Sequence, residues 1–104
     1  MYKFKDLKFK KLDHTDGSFI GYEAVVKVAG DYCLEYDIVT STKLQNRKNC
    51  YKVQFTCDAD SLFKVLKRVP DMDTAIIVCQ THYEKLMNQM IKNIMKNVVE
   101  VVEG

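Results

Sequence analysis

Cys79-Gln80-Thr81-His82 sets a thiol and an imidazole three positions apart. Such a pair suits half of a zinc site, or a nucleophile and its base where the start of a helix lowers the thiol's pKa. A complete zinc site needs a second ligand pair, and Cys50 and Cys57 fall on opposite faces of one predicted strand. A catalytic dyad needs a group to orient the base, and nothing in the sequence identifies one. No catalytic residue, metal ligand or cofactor is therefore assigned. Asp58/Asp60 and Asp71/Asp73 have a spacing that can hold a hard cation, but each pair immediately precedes a predicted structured segment, where capping and turn roles account for it. The glycines at 17, 21, 30 and 104 are isolated, so no phosphate-cradling loop is present.

Two basic segments offer a different chemistry. Lys43, Arg47, Lys48 and Lys52 suit phosphate contacts in residues 43–52, with Tyr51 available to stack on a base. Alternation nevertheless puts Tyr51 with Val53 and Phe55, toward a core, and a charged loop reads equally well as a solvated one. In residues 3–11, Lys3, Lys5, Lys8, Lys10 and Lys11 stand against Asp6. Between these segments, Asp13, Asp16, Glu23, Asp31, Glu35 and Asp37 face only Lys27. Net charge is +2, so the sign pattern favours oriented contacts over general adhesion to polyanions.

The elements that must position these residues follow from apolar periodicity, near two in the first half and near 3.6 at the end. Strands are predicted over Tyr2–Leu12, Phe19–Val28, Tyr32–Ile38 and Tyr51–Cys57. Asp13–Ser18 and Ala29-Gly30-Asp31 supply turn chemistry, and 41–49 is the longest loop. In the third strand Tyr32, Leu34, Tyr36 and Ile38 share one face, with Cys33, Glu35 and Asp37 on the other, which implies one buried and one solvated sheet face. Asp58–Ser61 has cap chemistry, and Leu62, Phe63, Val65, Leu66 and Val69 fit a short helix stopped by Pro70. Ile76-Ile77-Val78 favours a buried fifth strand over 74–79, because Thr81–Glu84 has the form of a capping box; Met72, Ile76, Cys79 and Tyr83 carry the competing helical stripe.

A last helix is predicted from about His82 to Val102, its apolar sector wider than the stripe of roughly 100° that one sheet covers. If Leu86, Met90 and Ile94 pack on the sheet, then Ile91, Met95, Val99 and Val102 need separate cover, by the short helix or by a second copy of the chain. The thioethers of Met87, Met90 and Met95 read as core, or as an adaptable binding surface.

The 104 residues, 47% of them hydrophobic, suit a single α+β domain. Its expected form is an antiparallel four- to five-stranded sheet, meander first, packed by a short helix and a long C-terminal amphipathic helix. No apolar run approaches a membrane span, and the lysine-interrupted start is unlike a secretory signal. The four cysteines are accordingly expected to be reduced, in a cytoplasmic protein, or a nuclear one if the host is eukaryotic. The functional expectation is a non-enzymatic protein-binding module, a homodimer with a protein partner, acting as an inhibitor or accessory factor of a virus or mobile element. Single-stranded nucleic-acid binding through residues 3–11 and 43–52 is the alternative, followed by a small thiol-dependent or metal-assisted enzyme at Cys79 and His82.

Overall fold

The computed structural model describes residues 3–12, 19–41 and 48–98. Five antiparallel strands form a meander in chain order, and one long helix lies across one face. The strands are β1 (Lys10–Leu12), β2 (Phe19–Ala29), β3 (Tyr32–Ser41), β4 (Tyr51–Cys57) and β5 (Leu62–Val69), followed by α1 (Met72–Asn97). At the β2–β3 turn Gly30 has φ +54, a conformation without steric cost only for glycine. The strand pair β3–β4 keeps the alternation of the sequence, and β2–β3 keeps it up to Lys27, where the register shifts before the turn. Leu34, Tyr36, Ile38, Val53, Phe55 and Cys57 are buried under the helix, while Glu23, Glu35, Asp37 and Gln54 lie on the opposite face.

Three expectations change. No short helix follows β4. Asp58–Asp60 is a single 3-10 turn, and Ser61 takes a left-handed conformation (φ 50, ψ 38) that returns the chain along β4 as β5. The sequence hides this strand because it contains a bulge. Val53 faces Lys67 and Gln54 faces Val65, so Leu66 is the extra residue and the alternation changes parity there. The apolar positions then imitate a helical period.

The fifth strand is thus 62–69, and 74–79 belongs to α1. Asp71, not the Thr81 box, caps that helix: its carboxylate accepts from Thr74 N at 2.7 Å. This bond holds the Asp71 carboxyl below its ordinary pKa. The helical stripe prevails over the β-branched run because Ala75, Cys79, Tyr83 and Met87, four apart, all reach the core while Ile77 points to solvent.

The third change concerns the chain start and the helix end. Only Lys10–Leu12 pairs as a strand; residues 3–9 run outside the sheet. Gln80 holds them to α1, its Oε1 accepting from Leu7 N at 2.8 Å and its Nε2 donating to Lys5 O at 3.3 Å. Phe4 meets Tyr83 edge-on, and Leu7 and Phe9 add to the core. At the other end, α1 outruns its support. Its 26 residues span roughly 39 Å at 1.5 Å each, against roughly 23 Å for the seven of β4. Ile94, expected on the sheet, is 51% exposed, and every residue from Lys92 to Val98 is exposed.

Candidate functional site

The residues proposed from sequence for chemistry do not assemble into one site. Cys79 is fully buried on the sheet-facing side of α1, and burial pushes its thiol up to about 12, so it is not a thiolate near neutral pH. His82 looks elsewhere: its Nδ1 lies 2.7 Å from the buried Tyr36 hydroxyl, and its ring stands 4.7 Å from that of Phe55. Burial, then the charges of Lys64 and Lys85, lower its pKa. A buried tyrosine proton needs an acceptor, which neutral imidazole supplies at Nδ1, leaving Nε2 as the donor. All four cysteines are free thiols, with Cys50 near Pro70 O and Cys57 near Asp60 Oδ2.

Of the basic residues, Lys3, Lys5, Lys8, Lys10 and Lys11 are exposed, as is Lys48, and Lys52 lies half-buried on β4. Lys43 and Arg47 fall outside the described residues. Tyr51 packs against the core, as alternation required, and is not free to stack on a base. On the open face Lys10, Glu23, Asp37 and Gln54 follow one another across four strands. Among the described residues, carboxylates thus follow Lys10 on this face, and no continuous phosphate track crosses it.

Glu23, Glu35 and Asp37 bring carboxylate oxygens within 4.8 Å of one another. Their pKa values are all raised: burial leads for Glu23 and Asp37, and the Asp37 contact leads for Glu35. Three carboxylates on one sheet face, each offering one ligand oxygen, supply fewer than the six to eight that calcium takes. Burial and like charge together penalise their ionised forms on β2 and β3.

The surface with most to offer carries no motif in the sequence. Strand β5 is last in the sheet, and no described residue pairs with its outer side. On the open face it shows Phe63 (59% exposed) and Val65, opposite Thr56 and Gln54. On the helix side it shows Lys64 and Lys67, opposite Phe55 and Val53. Two adjoining hollows of about 330 Å³ each run between β5 and α1 and share His82 and Lys85. One is floored by Leu66, Ile77 and Val78 with Lys67 at its rim; the other adds Lys64, Leu86 and Gln89. Read as a helix, residues 62–69 had no edge; the bulge at Leu66 was the missing signal.

The interface residues expected on the last helix divide. Ile91 is half-buried, Met95 is half-exposed, and Val99 and Val102 lie outside the described residues. No protein-family model, no curated protein and no solved structure matches this chain. Among the described residues no helix is long and apolar enough to cross a membrane.

Proposed function

We propose that the chain is a non-enzymatic protein-binding module, working as an inhibitor or accessory factor in the cytoplasm or nucleus. The observation that carries this reading is the outer edge of β5, eight residues long and unpaired among the described residues, with Leu62, Phe63 and Val65 exposed. An edge of this length with apolar side chains is a template for pairing with another chain. Affinity capture from lysate of the natural host, using the wild type and a Phe63→Asp, Val65→Asp variant, tests it. A protein retained stoichiometrically by the wild type and lost from the folded variant is expected. Equal retention by both, or none by either, refutes the role of this edge.

Self-association through the end of α1 belongs to the same reading, since Ile94, Met95 and Val98 present apolar surface beyond the sheet. Nucleic-acid binding stays second, carried by the exposed lysines of residues 3–11. The carboxylates on the open face and the core position of Tyr51 weigh against it.

A further inference from the structure

We propose that the groove between β5 and α1 receives an extended acidic segment of a partner protein, added to the sheet as a sixth strand beside β5. The proposal rests on the module reading above and names the chemistry of its ligand.

The two flanks of α1 are treated differently by the fold. On one, residues 3–9 of the chain itself lie along the helix, tied by both polar atoms of Gln80 and anchored by Phe4 against Tyr83. On the other flank, a floor of Leu66, Ile77 and Val78 runs between helix and edge strand. No described residue fills it, although Ile77 is 63% exposed. The first flank shows that this helix accepts an extended segment alongside it. A strand hydrogen-bonded to β5 would direct alternate side chains over the second flank, where the hollows lie.

Charge selects the occupant. Lys64, Lys67, Lys85 and His82 surround the two hollows, and none of the lining residues is acidic. Arg68 adds a further cation on the open face of the same strand, opposite Lys52. A second copy of β5 would set like charges against each other, so edge-to-edge pairing of this chain with itself is opposed. In a segment alternating acidic and apolar residues, the acidic side chains fall on the groove against its lysines and the apolar ones on the open face beside Phe63 and Val65. His82 turns Nε2 away from Tyr36 and can donate to a carboxylate in the groove. The titratable groups around it are Tyr36 from β3, Lys64 from β5 and Lys85 from its own helix, with Phe55 from β4 as an apolar wall. A bound carboxylate would favour protonated His82, so affinity should rise as pH falls toward the lowered pKa of this imidazole.

The test uses a short fluorescein-labelled peptide of alternating Glu and Val, and its counterpart with Lys for Glu, against the full chain. Anisotropy is expected to show the acidic peptide binding at least about tenfold more tightly, since several rim ion pairs together reach that factor. Backbone amide shifts should move along β5 and between Ile77 and Gln89. A Lys64→Glu, Lys85→Glu variant, altered only at exposed side chains, should reverse the preference. Equal affinity for both peptides, shifts confined to residues 3–11, or displacement of the peptide from the groove by oligothymidylate would overturn the proposal. Host-protein capture that depends on Phe63 and Val65 without any acidic preference would keep the module and remove this ligand.

Discussion

The Tyr36 hydroxyl lies 2.7 Å from Nδ1 of His82, joining the middle of β3 to α1 across 46 positions of sequence. Tyr36 is fully buried, and its ring also meets Phe55 and Tyr83, so the bond fixes the helix over the centre of the sheet. Replacing Tyr36 with Phe should cost about 1 kcal/mol, the net worth of one intramolecular hydrogen bond. His82 should then titrate at higher pH, because the bond that favours its neutral form is gone. In the wild type the folded-state pKa lies below 6.5, so the unfolded chain takes up this proton first. The stability involved is complete above 6.5 and lost as pH falls through the folded value. The wild-type advantage over Tyr36→Phe should therefore narrow between about pH 7.5 and about pH 5 in urea titrations. An unchanged gap would rule out the neutral Nδ1 acceptor.

The thiols should separate by burial. Denatured protein, alkylated without reductant, is expected to show four reactive groups, whereas in the native protein Cys33 should react first. Cys79, held at about 12 by burial, should be the most inert to iodoacetamide. Cys79→Ser places a hydroxyl among apolar side chains and should destabilise by about 1–3 kcal/mol. Rapid native labelling of Cys79 would contradict its position between α1 and the sheet.

Asp37 faces Glu23 directly across β2 and β3. Both carboxyl pKa values are raised, so the folded chain binds these protons more tightly than the unfolded one. Their unfavourable contribution is present at neutral pH and disappears as pH falls through the raised values toward the ordinary 3.8 of Asp37. Asp37→Asn should therefore stabilise by about 0.5–1 kcal/mol at about pH 7, the scale of a cross-strand charge pair. That gain should shrink toward about pH 4, as followed by thermal denaturation. A destabilised variant at neutral pH would mean that the cluster is held together by something other than the carboxylates themselves.

Thr40 is buried at 2% exposure with no hydrogen-bond partner for Oγ1 among the described residues. Thr40→Val keeps the shape and removes the unsatisfied hydroxyl, so stability should rise by about 1–2 kcal/mol. A fall in the urea midpoint would reveal a partner for that oxygen.

The end of α1 supplies the test of self-association. Met95 and Val98 are exposed, Val98 at 76%, so Met95→Glu, Val98→Glu should leave the domain folded by circular dichroism. Sedimentation equilibrium is expected to show a wild-type dimer and a monomeric variant. A wild-type monomer at high micromolar concentration, or a variant that remains dimeric, would move the contact elsewhere.

Most of the sheet is legible in the sequence, and the reason is local. From Tyr32 to Ile38 and from Tyr51 to Cys57 every second residue is apolar, and each of these runs keeps one parity from end to end. Alternation reads the buried face correctly wherever register is unbroken. It fails at β5, where the extra residue Leu66 changes parity inside an eight-residue strand. It fails at Ile76-Ile77-Val78 for another reason: β-branched residues favour a strand only weakly, and burial of Ala75, Cys79 and Tyr83 outweighs that preference. The basic loop was the obvious candidate site, yet half of its named cations lie outside the described residues, and the groove residues carry no motif at all.

The amino-acid order alone determined that this chain is an α+β domain with a meander and a terminal helix, because turn chemistry and apolar period act over neighbouring residues. It also determined that Tyr51 and Cys57 would face inward. Only the tertiary structure decided that β5 is an edge, that residues 3–9 occupy one flank of α1, and that Lys64, Lys67, His82 and Lys85 border a groove on the other. Those relations depend on which elements become neighbours in space. Neighbourhood across an antiparallel sheet is set by register and by bulges such as the one at Leu66, and neither leaves a periodic trace in the sequence.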